Sequence, residues 1–293
     1  MRLLPTRRVL TLGATLLSAV SLLAIANSAA ASGGASKIPT APKSKTLAAE
    51  VPKSVKDKSS VVVAMDATYA PDEFVAANGK IVGMDADLAY AIGQVLGLKI
   101  TLQNVTFATI LVGMGAGKYD LGMSSFTDTK AREKVVDFVD YFSAGEAFYV
   151  PTNSKLKLNG LKSLCGHSVS VELGTTEATD AQSQAKKCSV SIGTYQTQSE
   201  ANLAVSSGTQ QIGFADSQVA AYIVAQSKGQ FKLDGKAFET APYGIAVPKN
   251  GMAKPVLGAI RALMADGIYT KILDKWSLAS GAITKPVLNG AKS

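Results

Sequence analysis

Apolar residues recur along the chain with two different periods, which predict strands and helices in turn. The run VVVAM at 61–65 is short, apolar and mostly β-branched, as is typical of a buried strand. Met84, Leu88 and Ile92 then recur at helical spacing, and Gly97 ends this pattern. The pattern from residue 61 onward therefore predicts a strand followed by a helix.

The alternation continues in two series, separated near Pro151 and rejoined near Pro242. The first series has the strand KITLQNV, the helix ATILVGMGAG, the strand YDLGMSS and the extended segments VVDFVDYF and EAFYVPT. In the second, each strand precedes a helix: HSVSVEL and TEATDAQSQAKK, SVSIGTY and SEANLAVSS, QIGFAD and SQVAAYIVAQS. The strand YGIAVPK and a long amphipathic helical stretch, broken near Gly267, complete the pattern.

Alternating strands and helices predict α/β units with largely parallel sheets, here two lobes with a cleft between them. Strand ends that face such a cleft are where these sheets bind ligands. We predict that lobe 1 comprises residues 59–150 and 243–293, the latter with the C-terminal helices, and that lobe 2 comprises residues 151–242.

The first 58 residues have a different composition from the rest. Residues 1–31 combine the basic start MRLLPTRR, the apolar run VLTLGATLLSAVSLLAI and the small-residue site NSAAAS, which predicts a cleaved signal peptide. The apolar run is short for a membrane span and rich in Ser, Thr, Gly and Ala. Residues 32–58 are small, polar and basic with three prolines, which predicts a flexible linker.

The formal net charge of +8 lies mainly in these N-terminal segments. Arginines near the N-terminus supply three positive charges, and the predicted linker supplies a net four. The part of the chain that follows residue 60 is therefore close to neutral, which argues against nucleic acid as a partner.

The chain has two cysteines, Cys165 and Cys188. In an oxidising compartment such a pair predicts a disulfide. His167 lies close to Cys165, but a metal site would need further ligands, so we predict neither a metal nor a cofactor. Because no cysteine lies near the predicted cleavage site, we expect an exported, extracytoplasmic protein without a lipid anchor.

The sequence does not match two common catalytic motifs, the phosphate-binding loop and the serine-hydrolase motif. GMGAGKYD resembles a phosphate-binding loop, but Val112 stands at the position of its first glycine and Tyr119 at that of the Mg²⁺-binding hydroxyl. His167 is the only histidine and no G-x-S-x-G motif occurs, which argues against a Ser-His-Asp hydrolase. The sequence thus favours a protein that is not an enzyme.

The segment SSFTDTKAREK at 124–134 is the strongest candidate for an anion site. A predicted strand ends at Ser125, and Thr129 is suited to cap a short helix that carries Arg132. Backbone N–H groups, hydroxyls and a planar guanidinium together suit a carboxylate, because Arg presents two parallel donors. The alternative is an exposed arginine in a lysine-rich turn.

Three further segments offer polar groups at predicted strand ends. DATYAPDEF places Asp66 and Tyr69 after the first strand, where they form either a ligand contact or a surface turn held by Pro71. GTTEATD combines a glycine turn with a helix start, and GFADSQVAA ends a strand at Asp216, which is either a ligand contact or a helix cap. An anion site on one lobe and a carboxylate on the other suit a zwitterion, because each of its buried charges would have a partner of opposite charge.

These segments, in this order, resemble the extracytoplasmic amino-acid-binding proteins of ABC transporters, solute-binding protein family 3. The resemblance covers about residues 60–285 and rests on DATYAPDEF, GKIVGMDADLAYAIGQVLG, GKYDLGMSSFTDTKAREKVVDF, LGTTEATD, GFADSQVAAY and YGIAVPK. It implies a type II periplasmic-binding-protein fold, in which two α/β lobes joined by two crossover strands close around one amino acid. The implied partners are that amino acid and a membrane permease, and the implied state is a monomer.

The resemblance also implies how the main-chain groups of the ligand are held. Arg132 would pair with the α-carboxylate, assisted by Thr127 and the backbone of Thr176. Asp216 would hold the α-amino group, and Ser125 would supply a further acceptor.

The side chain of the ligand would lie between Tyr69 and Phe107, with Asp66 near its far end. The family usually has an aromatic residue where this chain has Asp72. Asp66 and Asp72 together indicate a cationic amino acid, but if Asp72 faces water, glutamine or another polar amino acid fits as well. Asp85 and Asp87 are explained by the helix dipole, and no ligand role is assigned to them.

Two alternative functions agree less well with the sequence. An exported cyclohexadienyl-type dehydratase would need an acid or base such as Glu73 or Glu172, and its carboxylate-rich substrate would be repelled by Asp66 and Asp216. A sensor domain of a membrane receptor would be expected to carry a downstream transmembrane segment, which the pattern does not show. The sequence therefore favours a transport receptor.

Overall fold

The computed structural model describes residues 39–58 and 60–291, so the predicted signal peptide lies outside the described residues. The strands are β1 (Val61–Met65), β2 (Thr68–Tyr69), β3 (Glu73–Val75), β4 (Ile81–Val82), β5 (Ile100–Asn104), β6 (Leu121–Gly122), β7 (Asp137–Pro151), β8 (Ser168–Glu172), β9 (Ser191–Tyr195), β10 (Ile212–Asp216) and β11 (Phe231–Val247). The α-helices are α1 (Lys45–Glu50), α2 (Lys53–Lys56), α3 (Met84–Leu96), α4 (Phe107–Gly115), α5 (Lys130–Glu133), α6 (Thr176–Ala185), α7 (Gln198–Ser206), α8 (Ser217–Gln226), α9 (Ala253–Ala265) and α10 (Ile268–Lys275). In this part of the chain no helix combines the length and apolarity needed to cross a membrane.

Eight strands form one sheet in the order β5-β1-β6-β11-β7-β10-β8-β9, and β2, β3 and β4 form a small second sheet. Parallel strands stand in two groups, with β1 between β5 and β6 and β8 between β9 and β10. The long strands β7 and β11 pair antiparallel with each other and connect the two groups. The predicted fold of two α/β lobes joined by two crossover strands is therefore confirmed. We call the half with β1–β6, α1–α5, α9 and α10 lobe 1, and the half with β8–β10 and α6–α8 lobe 2.

The pairing register shows where the chain crosses between the lobes. Ser143 of β7 pairs with Pro242, whereas Glu146 pairs with Asp216 of β10 in lobe 2. The crossing point of β7 thus lies between Ser143 and Glu146, a few residues before the predicted boundary at residue 150. The register of β11 shifts opposite this point, between Phe238 and Ala241.

Each lobe has its own apolar core, built from the residues that carry the sequence pattern. In lobe 1, Leu88 and Ile92 of α3 are buried together with Val63 of β1 and Ile260 of α9. Helix α3 ends at Gly97, whose φ of 67° is a left-handed conformation that glycine adopts without strain. The predicted helix and its end point are therefore confirmed.

The core of lobe 2 contains Val169, Val171 and Phe214 from its strands. Cys165 and Cys188 form a disulfide, which confirms the predicted pairing.

The prediction of a flexible linker is wrong for residues 39–58. This segment contains α1 and α2, and Ala41, Val51 and Val55 are buried in the core of lobe 1. Its backbone is also fixed, because the Ala41 N–H donates to Gln94 Oε1 at 2.7 Å. The missed signal is the four-residue spacing of Leu47, Val51 and Val55, which the polar composition of the segment obscured.

We expect Val51→Ala to lower the free energy of unfolding by about 2 kcal/mol, because two buried methyl groups are lost. Val51 is 2% exposed, and the matched control is Val112→Ala at a position that is 75% exposed. The control should change stability by no more than about 0.5 kcal/mol. Denaturant unfolding of the purified proteins measures both values, and equal small effects would contradict the packing of this segment.

Candidate functional site

A cavity lies between the lobes, at the carboxyl ends of strands from both. Asp66 follows β1, Ser124 follows β6, Glu172 ends β8 and Asp216 ends β10. The residues that line it are Asp66, Tyr69, Phe107, Ser124, Ser125, Thr127, Arg132, Glu172, Thr175, Thr176, Glu177 and Asp216. All eight residues that the sequence assigned to ligand contact are among them.

Arg132 is held at one end of the cavity by groups from both lobes. Thr129 caps α5, accepting a hydrogen bond from the Arg132 N–H at 3.2 Å. The guanidinium Nη1 donates to the Thr127 carbonyl at 2.7 Å, and Nη2 donates to the Gly174 carbonyl of lobe 2 at 2.9 Å. A guanidinium has five N–H donors, so this arrangement leaves donors for an anion.

Two aromatic rings fix the guanidinium from the side. Its central carbon lies 5.3 Å from the centre of the Phe107 ring and 5.4 Å from that of Phe126, distances typical of cation–π contacts. Burial lowers the pKa of Arg132, but the negative charge of Glu177 opposes this effect, and an arginine remains charged in proteins. Arg132 therefore contributes a fixed positive charge to the cavity.

Tyr69 and Asp216 meet across the lobes. The Tyr69 hydroxyl donates to Asp216 Oδ2 at 2.7 Å and accepts from the Asp216 N–H at 3.1 Å. Tyr69 was predicted only as a wall for the ligand side chain, so this bond is an addition to the predicted role. Burial raises the pKa of Asp216 to about 6.

Asp66 is held at another part of the cavity. Its Oδ1 accepts from the Thr68 hydroxyl at 2.7 Å, and its Oδ2 accepts from the Phe107 N–H at 3.0 Å. Burial raises the pKa of Asp66 in spite of these bonds. Burial raises the pKa of Glu172 well above its usual range, and the negative charge of Asp66 adds to this effect.

Sequence reasoning missed four lining residues as ligand contacts: Ser124, Glu172, Thr175 and Glu177. Glu172 had been considered only as an acid or base of the alternative enzyme, although its place at a strand end was a usable signal. Glu177 gives no such signal, because an acid in the first turn of a helix is sufficiently explained by the helix dipole. Both carboxyl groups have a buried Oε1 without a hydrogen-bond partner among the described residues.

A second layer of carboxyl groups supports the cavity from lobe 1. Asp72 is fully buried, so it does not face water, and its Oδ2 accepts from the Ser125 hydroxyl at 3.0 Å. Asp85 accepts from the Ser125 N–H at 3.0 Å and from the Tyr141 hydroxyl at 2.6 Å. The helix dipole is thus an incomplete account of Asp85, which holds a residue of the cavity wall in place.

The acidic groups are not arranged as a metal centre. Within residues 39–58 and 60–291, no group of three or more His, Cys, Asp or Glu side chains has a geometry that could hold a metal ion.

We expect the ligand-free protein to lose stability between pH 4 and pH 6. Burial raises the pKa of Asp85 and of Asp216 to about 6, against about 4 for an unfolded Asp. Each group binds its proton more tightly in the folded state, so its contribution is present below about pH 4 and is lost as the pH rises through 6. One unit of pKa corresponds to about 1.4 kcal/mol.

Denaturant unfolding at constant ionic strength and several pH values measures this slope. The variant Asp216→Asn lacks one of the two groups and should show a smaller decrease. A free energy of unfolding that rose steadily from pH 4 to pH 6 in both proteins would contradict the expectation.

Comparison with known proteins relates this chain to a group of binding proteins. Arginine-binding protein ArgT of Corynebacterium glutamicum is 29% identical over 251 residues, which cover 83% of this chain and 82% of that protein. The ABC transporter glutamine-binding protein GlnH of Bacillus subtilis is 31% identical over 278 residues, covering 92% of this chain and 97% of that protein.

Solved structures give the same picture. An ancestral arginine-binding protein bound to arginine aligns with a TM-score of 0.71 and 34% identity, covering 75% of this chain and 98% of that chain. The ancestral amino-acid-binding protein AncCDT-1, described as a precursor of cyclohexadienyl dehydratase, aligns with a TM-score of 0.70 and 31% identity, covering 76% and 97%. The family described as bacterial extracellular solute-binding proteins, family 3, matches residues 61–279, and this chain belongs to it.

Proposed function

We propose that this protein is the extracytoplasmic receptor of an ABC transporter, which captures a cationic amino acid of the arginine or lysine type and delivers it to a membrane permease. The observation that carries the proposal is the charge of the cavity. One guanidinium, that of Arg132, faces four carboxyl groups, those of Asp66, Glu172, Glu177 and Asp216.

The α-carboxylate of the ligand binds at Arg132. The guanidinium is fixed by two carbonyls and two rings, so it offers its remaining donors at little entropic cost. Thr176 begins the ten-residue helix α6 and Thr127 lies opposite, their hydroxyl oxygens 3.3 Å apart. Backbone N–H groups at this helix start add to the attraction for an anion.

The α-ammonium group binds at Asp216. Ser125 assists, because its hydroxyl hydrogen is directed to the carboxyl groups of Asp72 and Glu73, at 3.0 and 3.3 Å, and its oxygen is left as an acceptor. An ammonium ion therefore finds one charged and one neutral acceptor.

The cationic end of the side chain binds between Asp66 and Glu172. Two buried carboxyl groups that line one cavity are costly unless a cation compensates them. A guanidinium or ammonium group supplies that charge and a donor for the unpartnered Glu172 Oε1. The names of ArgT and of the ancestral arginine-binding protein agree with this choice.

No bond is made or broken in this function. The dehydratase alternative is disfavoured by the same four carboxyl groups, which would repel a substrate that carries several carboxylates.

A thermal-shift screen against the twenty amino acids, ornithine and citrulline tests the proposal. The protein is first unfolded and refolded to remove carried-over ligand. A ligand that binds only the folded state stabilises it by about 2.7 kcal/mol at a hundredfold excess over its dissociation constant. Citrulline is the matched control, because it has nearly the shape of arginine without the charge.

We expect shifts with arginine, lysine or ornithine and a much smaller one with citrulline. A shift with glutamine instead, as the name of GlnH suggests for that relative, would keep the receptor and exclude the cationic preference. No shift with any amino acid would overturn the proposal.

A further inference from the structure

A hydrogen bond joins the two lobes behind the ligand cavity. Gln218 lies in the first turn of α8 in lobe 2, two residues after Asp216. Its Nε2 donates to Asp72 Oδ2 of lobe 1 at 2.7 Å and to the Tyr243 hydroxyl oxygen at 2.7 Å. These two bonds use both N–H groups of the amide.

The environment of Asp72 makes this bond important. The side chain is fully buried, its Oδ2 accepts from Gln218 and Ser125, and its Oδ1 has no hydrogen-bond partner among the described residues. The nearby charges are negative, since Asp85 and Asp216 both disfavour ionisation of Asp72. A buried carboxyl group in such a place depends on every donor it has.

Asp72 and Gln218 also differ from the residues that hold the ligand. Neither lines the cavity, so their bond does not require a ligand to be present. Because Asp72 belongs to lobe 1 and Gln218 to lobe 2, opening of the cleft would break the bond between these two side chains. The closed arrangement is thus favoured by the protein's own groups as well as by the ligand.

We propose that Asp72 and Gln218 form a latch that stabilises the closed cleft independently of the ligand and thereby slows ligand release. The inference rests on the proposed function, because closure matters only if the cleft captures a ligand. A ligand that binds the closed form gains apparent affinity in proportion to the population of that form. Because ionisation of Asp72 is disfavoured, the bond counts as one between uncharged groups, which changes that population on the order of 2- to 10-fold.

Dissociation of L-arginine, followed by stopped-flow displacement, tests the latch. Gln218→Ala should raise the dissociation rate on the order of 2- to 10-fold and change the association rate much less. The control is Gln226→Ala, an exposed glutamine at the other end of the same helix, which should leave both rates unchanged. An unchanged dissociation rate in Gln218→Ala would overturn the latch.

A double-mutant cycle asks whether the two residues act together. Asp72→Asn, which keeps the size of the side chain, is combined with Gln218→Ala. The double variant should release arginine about as fast as the faster single variant, because each change breaks the same bond. Effects that multiply fully would show that the residues act separately and would contradict the latch.

Small-angle X-ray scattering of the ligand-free proteins separates this inference from the proposed function. The latch predicts a larger radius of gyration for Gln218→Ala than for the wild type or Gln226→Ala, whatever the ligand is. Equal radii in the three proteins would overturn the latch. Failure of arginine to bind any of them would count against the proposed ligand and leave the scattering result as the test of closure.

Discussion

Replacing Arg132 with alanine is expected to weaken binding of the amino acid by about 3–5 kcal/mol, a loss of roughly 10²- to 10⁴-fold in affinity. The change leaves the ligand carboxylate buried without its charged partner. It also removes the bond from Nη2 to the Gly174 carbonyl, by which Arg132 reaches lobe 2. Isothermal titration calorimetry, with the amino acid that gives the largest thermal shift, measures the effect.

Arg132→Lys is the sharper variant, because it keeps the charge. A lysine ammonium is a point charge that does not reproduce the two parallel donors or the contacts with the Phe107 and Phe126 rings, so we expect little recovery of affinity. Arg261→Ala, at an exposed position of α9, is the matched control and should bind as the wild type does. Wild-type affinity in both Arg132 variants would show that the carboxylate binds elsewhere.

Strong periodicity made much of the fold predictable. The C-terminal stretch was expected to break near Gly267, and α9 ends at Ala265 while α10 begins at Ile268, with Gly267 at a φ of 70°. The strands of lobe 2 were likewise located by their apolar runs. In these elements local sequence and tertiary packing favour the same structure.

Other elements depend on tertiary contacts that no local pattern contains. The first half of β11 is polar and largely exposed, and it is a strand because it pairs with β7. The extended segments VVDFVDYF and EAFYVPT turned out to be one continuous strand for the same reason. Pairing partners distant in sequence determine both strands.

The candidate site, like the fold, could be predicted from the sequence only in part. Residues at strand ends and beside helix starts could be assigned from the sequence, and all eight lie on one cavity. The burial of Asp72 could not be predicted, because Gln218, which donates to it from lobe 2, lies 146 residues away in the sequence. The family usually has an aromatic residue at this position, so the resemblance gave no indication of a hydrogen-bonded carboxyl group here.

Net charge was a poor guide to the ligand, whereas local charge is informative. The part after residue 60 is nearly neutral overall, yet four carboxyl groups face one guanidinium inside the cavity. Because charges interact strongly over short distances in a medium of low polarity, the preference for a cationic ligand depends on these few residues.

Asp66→Asn should therefore reduce the affinity for arginine by roughly 2–5 kcal/mol, the cost of removing one partner from a buried charge pair. The asparagine oxygen accepts the bond from the Phe107 N–H, and the Thr68 hydroxyl can turn to accept from the new amide N–H, so the loop geometry should persist. Binding of citrulline should change much less, because its uncharged urea group has no ionic attraction to Asp66 that the substitution could remove. The ratio of the two affinities, measured by calorimetry in one buffer, isolates the effect of the charge.

Asp266→Asn, at an exposed acid directly after α9, is the matched control for the loss of one negative charge and should leave the ratio unchanged. Glu172→Gln, alone and combined with Asp66→Asn, then asks whether the two neighbouring carboxyl groups bind one cation together. If they do, the effects will fall short of additive, because the first substitution already removes much of the shared attraction. An arginine-to-citrulline ratio that survived all three variants would place the cationic end of the ligand elsewhere in the cavity, with Glu177 as the remaining carboxyl group to test.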